Sequence, residues 1–180
     1  MTKKIIYDAM QAYLADNKPS EFFESLKSGN SKNNYLNVFF PELSSHPDMW
    51  DRTMNVLDKA AERRSIVSDP EHFMLAALCS NLSKAETDTF LRRIEMISED
   101  EINYIHELIQ HYYALHSCFE NKSRIRSTNY IFSTMRNPYD EVQLCIANIT
   151  DDAEVEFLIM RFAIYTNVIP RKITISLQEI

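Results

Sequence analysis

Glycine is almost missing from this chain: one residue in 180, Gly29, where average usage would give roughly a dozen. One glycine cannot build a phosphate-cradling P-loop, a GxGxxG dinucleotide turn or a GxSxG nucleophile elbow. It also disfavours β-rich folds, whose tight turns recruit glycine for positive φ. Cysteine is scarce too. Cys79, Cys118 and Cys145 are odd in number, widely spaced and set in apolar helical contexts, so they read as buried free thiols and not as a zinc or disulfide framework. Basic charge is in deficit, with 19 Lys and Arg against 26 Asp and Glu and a net charge of −7. Tight, non-specific binding of nucleic acid through phosphate neutralisation usually needs the opposite balance. No stretch approaches 18 apolar residues and the N-terminus has no apolar signal-like run. The expectation is a cytoplasmic protein with no membrane partner.

What remains is helical periodicity with good punctuation. Ile5, Ile6, Met10, Tyr13 and Leu14 recur at helical spacing before Pro19, and Ser20 is expected to cap a short helix carrying Phe22, Phe23 and Leu26. A turn over residues 28–31 leads to the apolar Tyr35, Leu36, Val38, Phe39 and Phe40, closed by Pro41. A helix is expected from Pro47 through Ala61. Asp69, Pro70 and Glu71 read as N-cap, first-turn proline and first-turn acid of a helix apolar nearly all round. Further helices are expected over residues 84–96, from the capping box at Ser98 and Glu101 to Phe119, over 128–135, over 140–149 behind Pro138, and from Asp151 onward. The tail over 172–180 alternates apolar and polar residues, as a short strand or a disordered end would. The fold class expected is all-α, a single domain over 1–180 with about eight or nine helices. Its parts would be N-terminal helices over 1–43, a core over 44–168 and a tail over 169–180.

The order of motifs carries a resemblance. Phe40, Pro41, Glu42 and Leu43 are followed by His46, Pro47 and Asp48, then by a helix with Val56 and Leu57. The run from Leu78 through Cys79, Ser80, Asn81, Leu82, Ser83 and Lys84 comes next, and Arg136, Asn137 and Pro138 precede Val142, Gln143 and Leu144. Across roughly residues 10–152 this resembles the C-terminal, HD-domain half of bacterial tRNA nucleotidyltransferases, the CCA-adding enzymes. There FPE(I/L), HPE, a metal-ligand histidine, CHDLGK and an R-x-P step occur in the same order. The resemblance implies an HD-like helical bundle, in a family where this half helps support tRNA. The nucleotidyltransferase domain has no counterpart in the chain. The His-Asp motif is replaced by Ser80 and Asn81, and the first family histidine falls on Arg52. The later histidines fall near Tyr113 and Ser117, close to His111 and His116. The late acidic site is kept as Asp151 or Asp152.

Serine and asparagine bind a divalent cation poorly and an arginine repels one. The former metal site, Arg52, Ser80, Asn81 and Asp151, is therefore read as degenerate, with no metal and no cofactor. Arg52 is expected to pair with Asp151 or another acid, or to offer a phosphate contact. The chain reads as a non-catalytic HD-like module that binds a protein, or RNA or a nucleotide. The alternative is a diverged metal-dependent phosphohydrolase with a rebuilt ligand set of His111, His116 and Asp151. A third reading is a remnant that works with a separately encoded nucleotidyltransferase. His106, His111 and His116 are spaced by five, about 140° apart per step on one helix, which does not align them as ligands. Tyr112 and Tyr113 read as packing residues more readily than as a base-stacking platform. The pairs Arg63 with Arg64 and Arg92 with Arg93 read as helix-face charges, and the acids at 99–101 and 151–152 as helix starts. The best anion or RNA-backbone candidate is the set Lys122, Arg124, Arg126 and Arg136.

Overall fold

A computed structural model describes the backbone of residues 3–28, 35–94 and 97–178, and the side chains of residues 5, 7–28, 35–94 and 97–167. The protein is all-α. Among the described residues there are twelve α-helices: α1 (Lys3–Leu14), α2 (Ser20–Lys27), α3 (Tyr35–Phe39), α4 (Pro41–Ser44), α5 (Trp50–Arg63), α6 (Pro70–Cys79), α7 (Lys84–Arg92), α8 (Glu99–Gln110), α9 (Tyr112–Glu120), α10 (Ile125–Thr134), α11 (Pro138–Asn148) and α12 (Asp152–Gln178). A 3-10 turn (Arg64–Ile66) follows α5. No helix among the described residues is long and apolar enough to cross a membrane.

The helix starts follow local chemistry. Ser83 and Ser98 each close a reciprocal capping box, with Glu86 and Glu101. Asp69 and Asn137 cap α6 and α11, each followed by a proline whose missing N–H costs nothing in the first turn. The helix count exceeds the eight or nine expected for two reasons. Pro41 divides the segment from Tyr35 into α3 and α4. The long helix expected from Ser98 to Phe119 breaks at His111, which caps the C-terminus of α8 and precedes α9. The helix expected from Pro47 starts at Trp50. The alternating tail continues α12 to Gln178. A strand needs a partner strand for its ladder, and the described residues contain none. The turn expected at 28–31 and the end of the helix expected over 84–96 run into residues outside the described set.

Two apolar clusters form the core. The larger gathers α1 to α8 around α6, whose residues from Phe73 to Cys79 are all buried, and takes Leu144 and Ala147 from α11. The smaller joins Leu115, Phe132, Met135 and Leu158 to Val142, Cys145, Ile146 and Ile149. α11 is the wall between them and is buried at every position from Asp140 to Asn148. All three cysteines are buried and free; burial pushes the Cys79 and Cys145 thiols far up, so neither ionises near neutral pH.

The capping box of α7 makes stability depend on acid. Glu86 accepts from the Ser83 hydroxyl and backbone N–H and pairs with His46 at 2.7 Å, and these bonds, Ser83 first, hold its carboxyl down to about 2. A lowered folded-state pKa contributes stability above the ordinary value of 4.5 and loses it as pH falls toward 2. Ser83→Ala is expected to cost about 1 kcal/mol at pH 7. Urea titrations should show that cost shrinking between pH 5 and pH 2; a constant cost would contradict the coupling.

Candidate functional site

Of the positions that the resemblance assigns to a metal site, Arg52, Ser80 and Asn81 lie where α5, the end of α6 and α9 converge, and Asp151 contacts only the start of its own helix. Arg52 lies in the first turn of α5. Its guanidinium donates to the Tyr112 hydroxyl at 3.2 Å and sits 5.7 Å from the centroid of that ring. No carboxylate lies within ion-pair distance of Arg52 among the described residues, so the expected pairing with Asp151 is replaced by an aromatic contact. Next to it, the buried Thr53 accepts from the Asn81 side-chain amide at 3.1 Å. Ser80 donates back to the Ala77 carbonyl at 2.9 Å, completing the last turn of α6. Beside Ser80, Tyr112, Tyr113 and Asn148 line a small, partly open cavity of about 10 Å³, room for about one water molecule.

The chain of contacts continues from Tyr112. Its ring stacks on His116, centroids 5.8 Å apart and planes at 14°. His116 Nδ1 pairs with Glu154 at 2.8 Å, and its Nε2 lies 3.5 Å from Glu120. Glu154 is 5% exposed, so its carboxylate has exchanged water for the imidazole. Burial raises the Tyr112 hydroxyl, with Arg52 opposing and Glu154 reinforcing the shift. Glu154 is the acid that sequence reasoning missed. The available signal was helical: Glu154 stands four residues before the buried Leu158, on the inward face of α12. Asp151, the acid expected there, is exposed and accepts from the Ala153 N–H at 2.9 Å as a cap for α12.

These residues do not fit a divalent metal. A guanidinium stands at one ligand position, the Asn81 amide donates to Thr53, and His116 Nδ1 is committed to Glu154. Among the described residues no group of three or more His, Cys, Asp or Glu side chains could hold a metal ion. Nor are His111, His116 and Asp151 brought together. His111 Nδ1 pairs with the buried Glu141 at 2.6 Å, and its Nε2 is 3.3 Å from the Thr134 hydroxyl. Burial raises the Glu141 carboxyl, opposed by the Asn137 N–H and His111.

The cationic set divides in two. Lys122, Arg124 and Arg126 are exposed on the turn from α9 into α10, and their side chains have no ion-pair or hydrogen-bond partner among the described residues. Arg136, at the far end of α10, pairs with Glu107 at 3.3 Å. The turn is a Schellman motif: Lys122 N–H bonds the Phe119 carbonyl at 3.0 Å and Ser123 N–H the Cys118 carbonyl at 2.9 Å. Lys122 takes the left-handed position of that motif, φ 49°, which favours glycine. Arg161 of α12 holds the turn from behind, donating to the Ser123 carbonyl at 3.0 Å. α10 begins without a side-chain cap and without an acid in its first turn. Tyr130, 72% exposed, follows Arg126 by one turn on the same face.

The two acids at the start of α12 should separate by mutation. Glu154→Ala leaves a half-buried imidazole short of its partner and is expected to cost about 1–3 kcal/mol. Asp151→Ala removes an exposed cap and is expected to cost about 1 kcal/mol. Denaturant unfolding of both variants checks the order; a larger loss at Asp151 would contradict it.

Comparison of the chain with protein-family models, with curated proteins and with solved structures gave no match in any of the three.

Proposed function

We propose that the chain is a non-catalytic, HD-like helical module akin to the C-terminal half of tRNA nucleotidyltransferases, acting in the cytoplasm by binding RNA through the turn that carries Lys122, Arg124 and Arg126. The observation that carries this reading is Lys122 itself. It sits in a left-handed backbone conformation that costs a non-glycine residue about 1–2 kcal/mol, while its ammonium is exposed and unpaired. Strain of this kind is worth retaining where the side chain has work to do in the solvent. Two free guanidiniums follow within four residues, and Tyr130 beside Arg126 offers a ring on which an unstacked base could rest. The non-catalytic part is supported by the chemistry at the former ligand positions, where Arg52, Ser80 and Asn81 are each engaged by neighbouring protein groups.

The test is filter binding of transfer RNA and of single-stranded RNA at two salt concentrations. Three phosphate contacts to a single strand give a slope near −2 in log affinity against log salt, a loss of about 15- to 20-fold between 50 and 200 mM. Lys122→Gly should weaken binding and lower that slope by about 0.7 while making the fold about 0.5–1 kcal/mol more stable. A variant with all three cations changed to serine should lose the salt-sensitive component. Absence of salt-sensitive binding would overturn the RNA reading and leave a protein partner. Metal-dependent phosphoester hydrolysis lost in His116→Ala would overturn the non-catalytic one.

A further inference from the structure

Arg64 is anchored on one side and free on the other. Its Nη1 donates to the carbonyls of Leu14 and Asp16 at 2.8 and 3.0 Å, which uses both protons of that nitrogen and closes the end of α1. The Nε–Nη2 edge has no hydrogen-bond or ion-pair partner among the described residues and reaches solvent. That edge is the fork that takes a carboxylate bidentately. Held by two bonds, the guanidinium is fixed before any ligand arrives.

Arg64 lines a partly open cavity of about 400 Å³ between the end of α1 and the start of α6, within the size range of small-molecule sites. Glu71 and Gln11 line it as well, and neither side chain has a partner among the described residues. Leu14, Pro70 and Met74 supply apolar lining. The helix dipole alone would account for an acid in the first turn of α6. It does not account for a fixed, half-free guanidinium on the same cavity. We propose that this cavity binds a short apolar peptide with both ends free, a dipeptide in size. The Nε–Nη2 edge of Arg64 holds its carboxylate and Glu71 its ammonium. Gln11 bonds the peptide group between them, and the apolar side chains lie on Leu14, Pro70 and Met74. Arg64 and Glu71 do not pair with each other, so one ligand carrying both charges, set apart along its length, satisfies the two at once.

Isothermal titration of the full chain with leucyl-leucine tests the proposal, with leucine, acetyl-leucyl-leucine and leucyl-leucine amide as comparisons. Saturable one-to-one binding is expected, about tenfold tighter than that of leucine. Acetylation removes the ammonium and amidation the carboxylate, and each should weaken binding about tenfold. Because Arg64 also closes α1, the amide serves in place of an Arg64 variant. Glu71→Gln, at an exposed position, should weaken leucyl-leucine by the same factor, leave the affinity of the acetylated peptide unaltered and keep the circular dichroism of the parent. The proposal is overturned if leucyl-leucine fails to bind at millimolar concentration, if leucine or either blocked peptide binds as tightly, or if Glu71→Gln changes nothing.

Discussion

Two carboxylates buried side by side at the start of α11 constrain most of what surrounds them. Asp140 and Glu141 are each 1% exposed, and a buried carboxylate without partners costs several kcal/mol. Asp140 is satisfied by the Ser68 N–H at 3.1 Å, the Ser68 hydroxyl, the Asn137 amide at 2.9 Å and the Tyr104 hydroxyl at 3.4 Å. Glu141 takes the Asn137 N–H at 3.1 Å and His111. Those partners come from the loop before α6, from α8, from the cap of α11 and from the junction of α8 and α9. One short acidic pair thus fixes where four separate segments meet. Because α11 packs against α5, α6, α8 and α12, that junction also sets the division of the core into two clusters.

The break at His111 is the consequence that matters for the candidate site. No proline or glycine lies between Glu101 and Glu120, so local propensity favours one continuous helix. The pairing of His111 with Glu141 holds the junction where the helix gives way. Redirected there, α9 follows the smaller cluster. It carries Tyr112 against Arg52, His116 against Glu154, and its own C-terminus into the strained turn at Lys122. The guanidinium and the imidazole stack against the same phenol ring. They tie α5, α9 and α12 together through groups that the chain supplies itself.

Local signals were the legible ones. The capping box at Ser98, and the Asp69 and Pro70 start of α6, depend on residues within three positions of each other, so sequence spacing suffices to read them; the equally local box of Ser83 and Glu86 shows only in the structure. The buried apolar run from Phe73 to Cys79 is similarly self-evident, being hydrophobic on every face. What could not be read were pairings across long separations. Arg52 and Tyr112 are 60 residues apart, and His111 and Glu141 are 30. The resemblance places the late acidic site at Asp151 or Asp152, whereas which acid points inward depends on the phase of α12, and that acid is Glu154. The five-residue spacing of the three histidines was informative. His106, His111 and His116 turn to three different carboxylates, Asp88, Glu141 and Glu154.

The acidity of the chain and a cationic contact surface are compatible once distance is considered. At physiological ionic strength the screening length is about 8 Å, so a charge several screening lengths from the turn contributes little there. Many of the acids are also spoken for: five meet the five histidines at 2.6 to 2.8 Å, and others cap helices. A carboxylate already shared with an imidazole or a row of backbone N–H groups projects less field than a free one. Residues 121–124 carry no acid and α10 has none in its first turn, while Glu120, the residue just before the turn, lies 3.5 Å from His116 Nε2. The same sequence therefore presents a net negative body and, at one strained corner, a local positive field. On the proposed reading, a polyanion would engage Lys122, Arg124 and Arg126 at that corner, with the acids paired to the histidines contributing less to the local field.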